Sequence, residues 1–556
     1  MAISALAQSL LRPATYTWNN GNQQPTVLTY SFATSGGGFA YYSDRPTDTF
    51  SEAEKAAARG ALAEWASVSG VEFVETADVA DATTVDLRFR LTIPGGTYDT
   101  LEANAAPQGD IQIAAWLSGY EIGGAGYHIL LRGIGYALGL QAIGSADTDY
   151  TVMGATKPMG PRPPHLRAAD IEAAQALYGT QQAQDASGIR WTWDAANHGL
   201  RHEGTEGGDI MIGRNVNNFM VGLGGDDTMV GGQGNDLFLA GTGTNTVSGG
   251  DGFDILRVDL FRVDASLQTS SSTIVNSGNL HLTATGTVVG GGETTHFSQI
   301  ETVIFADGRL VFDDTDPVAQ VTRLYQAALG RAPDTIGQES WTTAVQHGAP
   351  LSALAEGFMG SDEFRARFGA PDDIGFVTMA YRQALGREPD AAGTAFWLDH
   401  LAHGMSRAAM LVGFSESDEN RTLTKPLLAQ GIWDVDDQMG DIARLYQAVL
   451  GRAPDRAGLL FWDNLADGDM PTPQMANLFA QSQEFGMRFP GATDQAFVQM
   501  VYQNTLGRAG EAAGEAFWLD HMAHGMTRGE VVAGFADSTE FLVRSAGLTD
   551  HGIIFA

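Results

Sequence analysis

The sequence predicts a multidomain chain in three parts: an α+β domain at the N-terminal end, a parallel β-roll in the middle and an all-α region of helical repeats. Three observations carry this. At 556 residues the chain exceeds several-fold the ~100–200 residues of a usual domain, so three to five domains are expected. Its 69 glycines concentrate between residues 204 and 252, where they recur with a nine-residue period. Beyond Asp316 glycine thins out and one helical motif recurs four times.

Composition narrows the class further. Hydrophobic residues at 44% with charged residues at 18% suit a globular chain that buries cores, and no apolar run approaches the ~18 residues of a membrane span. The charge is −34, from 32 basic and 66 acidic residues, and the lysines are Lys55, Lys157 and Lys425 alone. Such a surface repels nucleic-acid phosphates and anionic lipid, so no nucleic-acid partner is expected; it attracts divalent cations. Cysteine is absent, which removes disulfides and thiolate metal sites. The N-terminus, MAISALAQSLLRPATY, meets its first basic residue only at Arg12, after the apolar stretch, the reverse of a Sec signal. Any export address is expected elsewhere.

Residues 1–185 form the expected α+β domain. LTYSFA, then FSEAEKAAARGALAEWASVSGVEFVE, VDLRFR and DIEAAQALYGT together resemble, in that order, the catalytic domain of the serralysins, zinc metalloproteases of the metzincin group. The resemblance implies a helix carrying HExxHxxGxxH, in which two His one turn apart and a third after a Gly turn hold zinc and the Glu activates water. The corresponding string here is RGIGYALGLQA. Arg132 and Tyr136 stand at the helical ligands, Gly133 at the general base and Ala142 at the third ligand, whereas the Gly139 turn and Met153 of the Met-turn remain. Ala155 stands where serralysins place a Tyr. An arginine stays protonated and repels Zn²⁺, so no zinc and no hydrolysis by the family mechanism are expected. Arg132 is expected either to pair with an acidic group in the vacated space or to reach solvent along the cleft. His128, one turn earlier, reads as structural.

Residues 186–315 hold the glycine array. From Gly204 it runs GTEGGDIMI, GRNVNNFMV, GLGGDDTMV, GGQGNDLFL, AGTGTNTVS and GGDGFDILR, with no slip in register. Asp209, Asn218, Asp227, Asp236, Asn245 and Asp254 fall nine apart, and two positions later stand Met211, Met220, Met229, Phe238, Val247 and Leu256, all apolar. A flexible linker has no reason to keep that phase. The pattern resembles the GGxGxDxUx nonapeptide of RTX proteins, whose parallel β-rolls bind calcium. Glycines such as Gly232, Gly234, Gly250 and Gly252 permit turns with positive φ, turn carbonyls and the Asp carboxylates offer hard oxygen ligands, and the apolar residue points inward. With two nonapeptides per coil, Asp209, Asp227 and Asn245 line one side and Asn218, Asp236 and Asp254 the other. Sites that include Asn218 or Asn245 are expected to be weaker than those between Asp209 and Asp227 or between Asp236 and Asp254. Alternating residues from about 257 to 315 read as further strands capping the roll.

Residues 316–430 and 431–556 read as two pairs of helical repeats. LYQAALGRAPDTIGQESW, AYRQALGREPDAAGTAFW, LYQAVLGRAPDRAGLLFW and VYQNTLGRAGEAAGEAFW place Gly330, Gly386, Gly451 and Gly507 at spacings of 56, 65 and 56 residues. Each unit reads as a helix, a Gly C-cap, a turn on ProAsp and a second helix bearing Trp341, Trp397, Trp462 or Trp518; Gly510 and Glu511 break the pattern in the fourth. The motif resembles a repeat of secreted and surface-layer bacterial proteins, distantly like phycobilisome linker domains. His400 with His403, and His521 with His524, sit before a helix-ending Gly, where the helix dipole favours them over a metal role.

Taken together, the residues point to a secreted calcium-binding pseudo-protease with a non-catalytic structural, adhesive or surface-layer-associated role at the extracellular or cell-surface side. The alternative is a protease decoy or regulator that binds peptides or a protease without cleavage. The implied partners are calcium ions, a cell-envelope component or a second copy of the chain, and the type I secretion machinery, which reads an uncleaved C-terminal signal.

Overall fold

The computed structural model describes residues 3–13, 18, 26–33, 49–76, 85–92, 102–103, 109–114, 119–143, 151–154, 163–194, 196–197, 199–214, 216–276, 279–466, 470–536 and 538–556. Two compact units emerge: Met1–Leu256 with Glu293–Phe297, and Arg257–Gly292 with Ser298–Ala556. Both contain β-strands, and the second ends in a mainly helical region that, unlike the all-α expectation, includes the strand Ile432–Val435. No helix among the described residues is long and apolar enough to cross a membrane.

The first unit opens with a five-stranded sheet in the order Val71–Glu75, Thr26–Phe32, Leu87–Thr92, Gly109–Ala114, Glu102–Ala103. Its pairs are parallel except the last, which is antiparallel. The helix Glu52–Val68 starts on a capping box in which Ser51 and Glu54 satisfy each other's backbone N–H. Its apolar spacing then buries Ala58, Ala61, Leu62 and Trp65. The Trp65 indole N–H donates to the Leu131 carbonyl at 2.9 Å, tying this helix to the helix Ala125–Ala137. Gly135 lets the contact close: a Cβ there would lie 2.6 Å from Met153 Sδ. Met153 is fully buried beneath that helix.

Residues 199–256 then coil through two parallel sheets. Gly199–Glu203, Asn217–Val221 and Leu237–Leu239 pair in one; Ile210–Ile212, Thr228–Gln233 and Thr244–Asp251 pair in the other. Partners in the register are Met211, Met229 and Val247 on one side and His202, Met220 and Phe238 on the other. These side chains stack inward and are buried, so each coil is two nonapeptides. His202 takes the inward position one unit before the array begins, a polar residue where the period calls for an apolar one. The strand Arg190–Asp194 pairs antiparallel with Gly199–Glu203 and covers the parallel edge. Val27, Leu200 and Val216, flanked by Trp191 and Trp193, form a small cluster joining the N-terminal sheet to the first coil.

In the second unit the hairpin Ser266–Asn276 and Asn279–Gly290 precedes an antiparallel trio, Thr302–Phe305, Gly308–Val311 and Ile432–Val435. The third strand explains the unequal repeat spacing. The step from Gly386 to Gly451 is 65 residues rather than 56, and the extra nine carry Ile432–Val435. The expected glycine caps are present: Gly330, Gly386, Gly451 and Gly507 end their helices in the left-handed region, at φ of 64, 63, 65 and 66°. Asp334 and Asp390 then cap the next helix with side-chain bonds to Gly337 and Gly393, whereas Glu511 makes no such cap bond. Each unit carries two further helices, Leu351–Gly360 and Asp362–Phe368 in the first. Arg331, Arg387, Arg452 and Arg508 each pair through two nitrogens with a Glu in those later helices, at Glu363, Glu419, Glu484 and Glu540. Two buried clusters result, one around Leu324, Tyr381 and Phe414, the other around Leu445, Phe479 and Phe497.

Candidate metal centre

The nine-residue positions line up in space every second unit. The backbone N–H of Asp209 donates to Asp227 Oδ1 at 2.9 Å, and that of Asp227 to Asn245 Oδ1 at 2.9 Å. On the opposite side the N–H of Asn218 donates to Asp236 Oδ1 at 2.7 Å, and that of Asp236 to Asp254 Oδ1 at 2.9 Å. Asp227, Asp236 and Asp254 are thereby each pinned through one oxygen by the preceding coil. The other oxygen turns toward its own glycine turn: a Cβ on Gly222 or Gly231 would overlap Oδ2 of Asp227 or Asp236.

Those two Oδ2 atoms are buried and, among the described residues, accept no hydrogen bond. A buried carboxylate oxygen without a donor costs several kcal/mol unless a cation or a proton neutralises it. That penalty is a sizeable part of the roughly 5–15 kcal/mol of a whole domain. Burial pushes the Asp227 carboxyl up to about 6. It raises Asp236 to about 8, with the neighbouring Asp254 adding to the effect, and Asp254 to about 7.

The turns beside these acids share one backbone form. Positive φ occurs at the second and fourth positions of four consecutive units: Leu223 and Gly225, Gly232 and Gly234, Gly241 and Gly243, Gly250 and Gly252. At the corresponding Thr205, Gly207 and Arg214 the chain does not take it. The first two units are closed differently. Asp209 Oδ2 accepts from the Thr205 N–H at 2.6 Å and from its hydroxyl at 2.9 Å. In the metal-free fold a local hydroxyl thus occupies this oxygen. Asn245 donates its amide to the Gly241 carbonyl at 3.0 Å. The donor set of the later turns, carboxylate and main-chain oxygens without nitrogen or sulfur, fits a hard divalent cation such as calcium.

The helix Ala125–Ala137 offers a contrasting site. The Arg132 guanidinium donates to the Tyr136 hydroxyl at 3.0 Å and lies 5.4 Å from the centre of its ring. Its hydrogen-bond partner is a phenol one turn on, and the side chain is partly exposed. Gly133 is buried and Ala142 exposed. His128 is buried, with Nδ1 3.4 Å from the Pro163 carbonyl. Ala155 lies outside the described residues. Among the described residues no three His, Cys, Asp or Glu side chains gather as a metal cluster. In the helical region His400 and His403 engage the Phe396 and Asp399 carbonyls through Nδ1 at 2.8 Å each. His521 and His524 repeat the arrangement on Phe517 and Asp520.

The sequence reading missed two contributors, Thr205 and the unit-opening glycines Gly222 and Gly231. The glycines were visible as a nine-residue recurrence broken at Ala240, but what they make room for was not.

Comparison with known proteins follows the same division. Residues 203–238 and 239–258 match the RTX calcium-binding nonapeptide repeat. Residues 313–368, 355–424, 440–489 and 476–544 match a domain of unknown function, DUF4214. The chain is 30% identical over 161 residues to serralysin of Proteus mirabilis, a match covering 25% of this chain and 33% of that protein. It therefore spans about a third of that relative's length. The nonapeptide repeats bind calcium.

Proposed function

We propose that the chain is a secreted, calcium-dependent pseudo-protease: a degenerate metzincin domain followed by a calcium β-roll and helical repeats, with a non-catalytic structural or adhesive role at the cell exterior. The observation that carries the reading is the paired buried Oδ2 atoms of Asp227 and Asp236, aimed into glycine turns with no hydrogen-bond partner. Asp227 with Asn245 and Asp236 with Asp254, together with carbonyls of the turns at Gly232, Gly234, Gly250 and Gly252, are the proposed ligands. The ion supplies charge neutralisation, which the acids need before they can be buried.

The absence of catalysis is argued from residue chemistry. Arg132, Gly133, Tyr136 and Ala142 stand at the four chemical positions of the serralysin-like motif, and a guanidinium held on a phenol neither binds zinc nor takes a proton from water. Gly139 and Met153 remain because they hold the scaffold. Four copies of one helical unit without an evident catalytic set are better suited to multiplying a weak contact than to chemistry. Export through a type I system fits calcium-dependent turns that stay unfolded in low-calcium cytosol and fold outside.

Sedimentation of the full chain with and without Ca²⁺ tests the role. Calcium-dependent self-association, or retention on cell envelope, is the expected result. A chain that stays monomeric and instead captures a peptide or a protease overturns it in favour of a regulator.

A further inference from the structure

We propose that the side-chain amide of Asn218 does for the first coil what a cation does for the later ones, so that residues 199–221 fold without calcium and template the calcium-dependent coils. This rests on the reading of the later turns as calcium sites.

Four oxygens surround Asn218 Nδ2. It donates to the carbonyls of Val216 at 2.7 Å, Arg214 at 3.0 Å and Gly231 at 3.3 Å, and to Asp236 Oδ1 at 2.8 Å. Turn carbonyls and a carboxylate converging on one point is the arrangement that otherwise calls for a hard cation. Here an NH₂ group with two protons fills the point. The amide is itself held in this orientation. Asn218 Oδ1 accepts from the Arg214 N–H at 3.1 Å and lies 3.1 Å from His202 Nε2. The Trp191 indole, which can only donate, reaches His202 Nδ1 at 3.1 Å, so the proton of the neutral imidazole sits on Nε2 and donates to Asn218. Reversing the amide would set its NH₂ against two donors and its oxygen against four acceptors.

Two further side chains of the first coil also meet protein groups. Asp209 is satisfied by Thr205. The Arg214 guanidinium donates to the Trp18 carbonyl at 3.3 Å and approaches Thr26 Oγ1 at 3.4 Å. The contrast with Asp227 and Asp236 is direct, since their free oxygens lie in turns that have the positive-φ form and no such internal donor. The array is therefore polar. Its N-terminal coil is built ready-made on the preceding sheet, and calcium adds coils in the direction of the later turns.

Hydrogen exchange of the full chain in EGTA and in Ca²⁺ reads this out. Amides of residues 199–221 are expected to be protected in both conditions, and those of 228–251 only with calcium. Asn218→Asp replaces the internal donor by an acceptor; it should bind one more calcium ion per chain than the native protein and lose protection at 217–221 in EGTA. Loss of protection of both segments of the native protein in EGTA overturns the inference and leaves the calcium reading standing. Protection of both in EGTA overturns the calcium reading, and this inference with it. An Asn218→Asp chain with unchanged calcium content and unchanged protection in EGTA also overturns the inference. The native-protein measurement holds whether or not the variant folds.

Discussion

Asp236 and Asp254 are locked together across one coil: the Asp236 N–H donates to Asp254 Oδ1 at 2.9 Å, while Asp236 Oδ2 stays buried without a partner. Asp236 also accepts from Asn218 in the coil before, so it touches turns on both sides. Asp236→Ala is therefore expected to remove more calcium, and lower the melting temperature in calcium further, than Asn245→Ala. Equal calcium content and equal melting temperatures in the two variants would contradict the shared-ligand arrangement.

Calcium affinity should rise with pH. In the calcium-free fold the carboxyls of Asp227, Asp254 and Asp236 titrate near 6, 7 and 8 because burial disfavours their charge, whereas in the unfolded chain they titrate near ~4. The folded form holds more protons between those limits. The contribution of these groups to calcium-free stability is thus fully present below pH ~4 and is lost as pH rises toward about 8. Calcium must displace the same protons, so its dissociation constant, measured by calorimetry, should fall steadily from pH 6 to 8. A pH-independent constant would show that these acids are not the ligands.

Gly231→Ala should be severe and Gly360→Ala mild. A Cβ at Gly231 would overlap Asp236 Oδ2 and lie 2.6 Å from the Gly249 carbonyl. It should cost about 1–3 kcal/mol together with a calcium site. At Gly360, in the last turn of Leu351–Gly360, a Cβ meets nothing within 4 Å, and alanine should stabilise the helix by roughly 0.5 kcal/mol. Thermal melting in calcium checks both, and a neutral Gly231→Ala would remove the cradle from the account.

Arg444 tests the helical region. It is 6% exposed and pairs with Glu339, 15% exposed, at 2.7 Å. Arg444→Ala leaves that acid buried and should cost about 3–5 kcal/mol. Arg387→Ala breaks an equally short but exposed pair with Glu419 and should leave the urea midpoint nearly unchanged. Similar midpoints for the two variants would mean that the first pair is not structurally coupled.

The parts of this molecule that sequence made legible are those governed by period. Nine-residue phase placed Asp227 beside Asn245 and Asp236 beside Asp254, because an eighteen-residue coil returns alternate units to one side. Glycine at a helix end announced the left-handed caps at Gly330, Gly386, Gly451 and Gly507. What stayed hidden depends on long-range partners that no period encodes. The link from Trp191 through His202 to Asn218 joins residues from three strands, and nothing local marks Asn218 as a donor rather than a weaker ligand. The strand Ile432–Val435 was hidden for the same reason: its pairing partner, Gly308–Val311, lies more than a hundred residues earlier.

The proposed function joins calcium in the glycine turns to an absence of zinc chemistry at the helix Ala125–Ala137. Metal analysis of the purified full chain after equilibration with both Ca²⁺ and Zn²⁺, with casein hydrolysis assayed on the same sample, tests it most directly. The account predicts calcium that EGTA removes with loss of β-structure, no stoichiometric zinc and no cleavage. Zinc near one equivalent, bound at the segment from Arg132 to Ala142 and accompanied by chelator-sensitive hydrolysis, would contradict it.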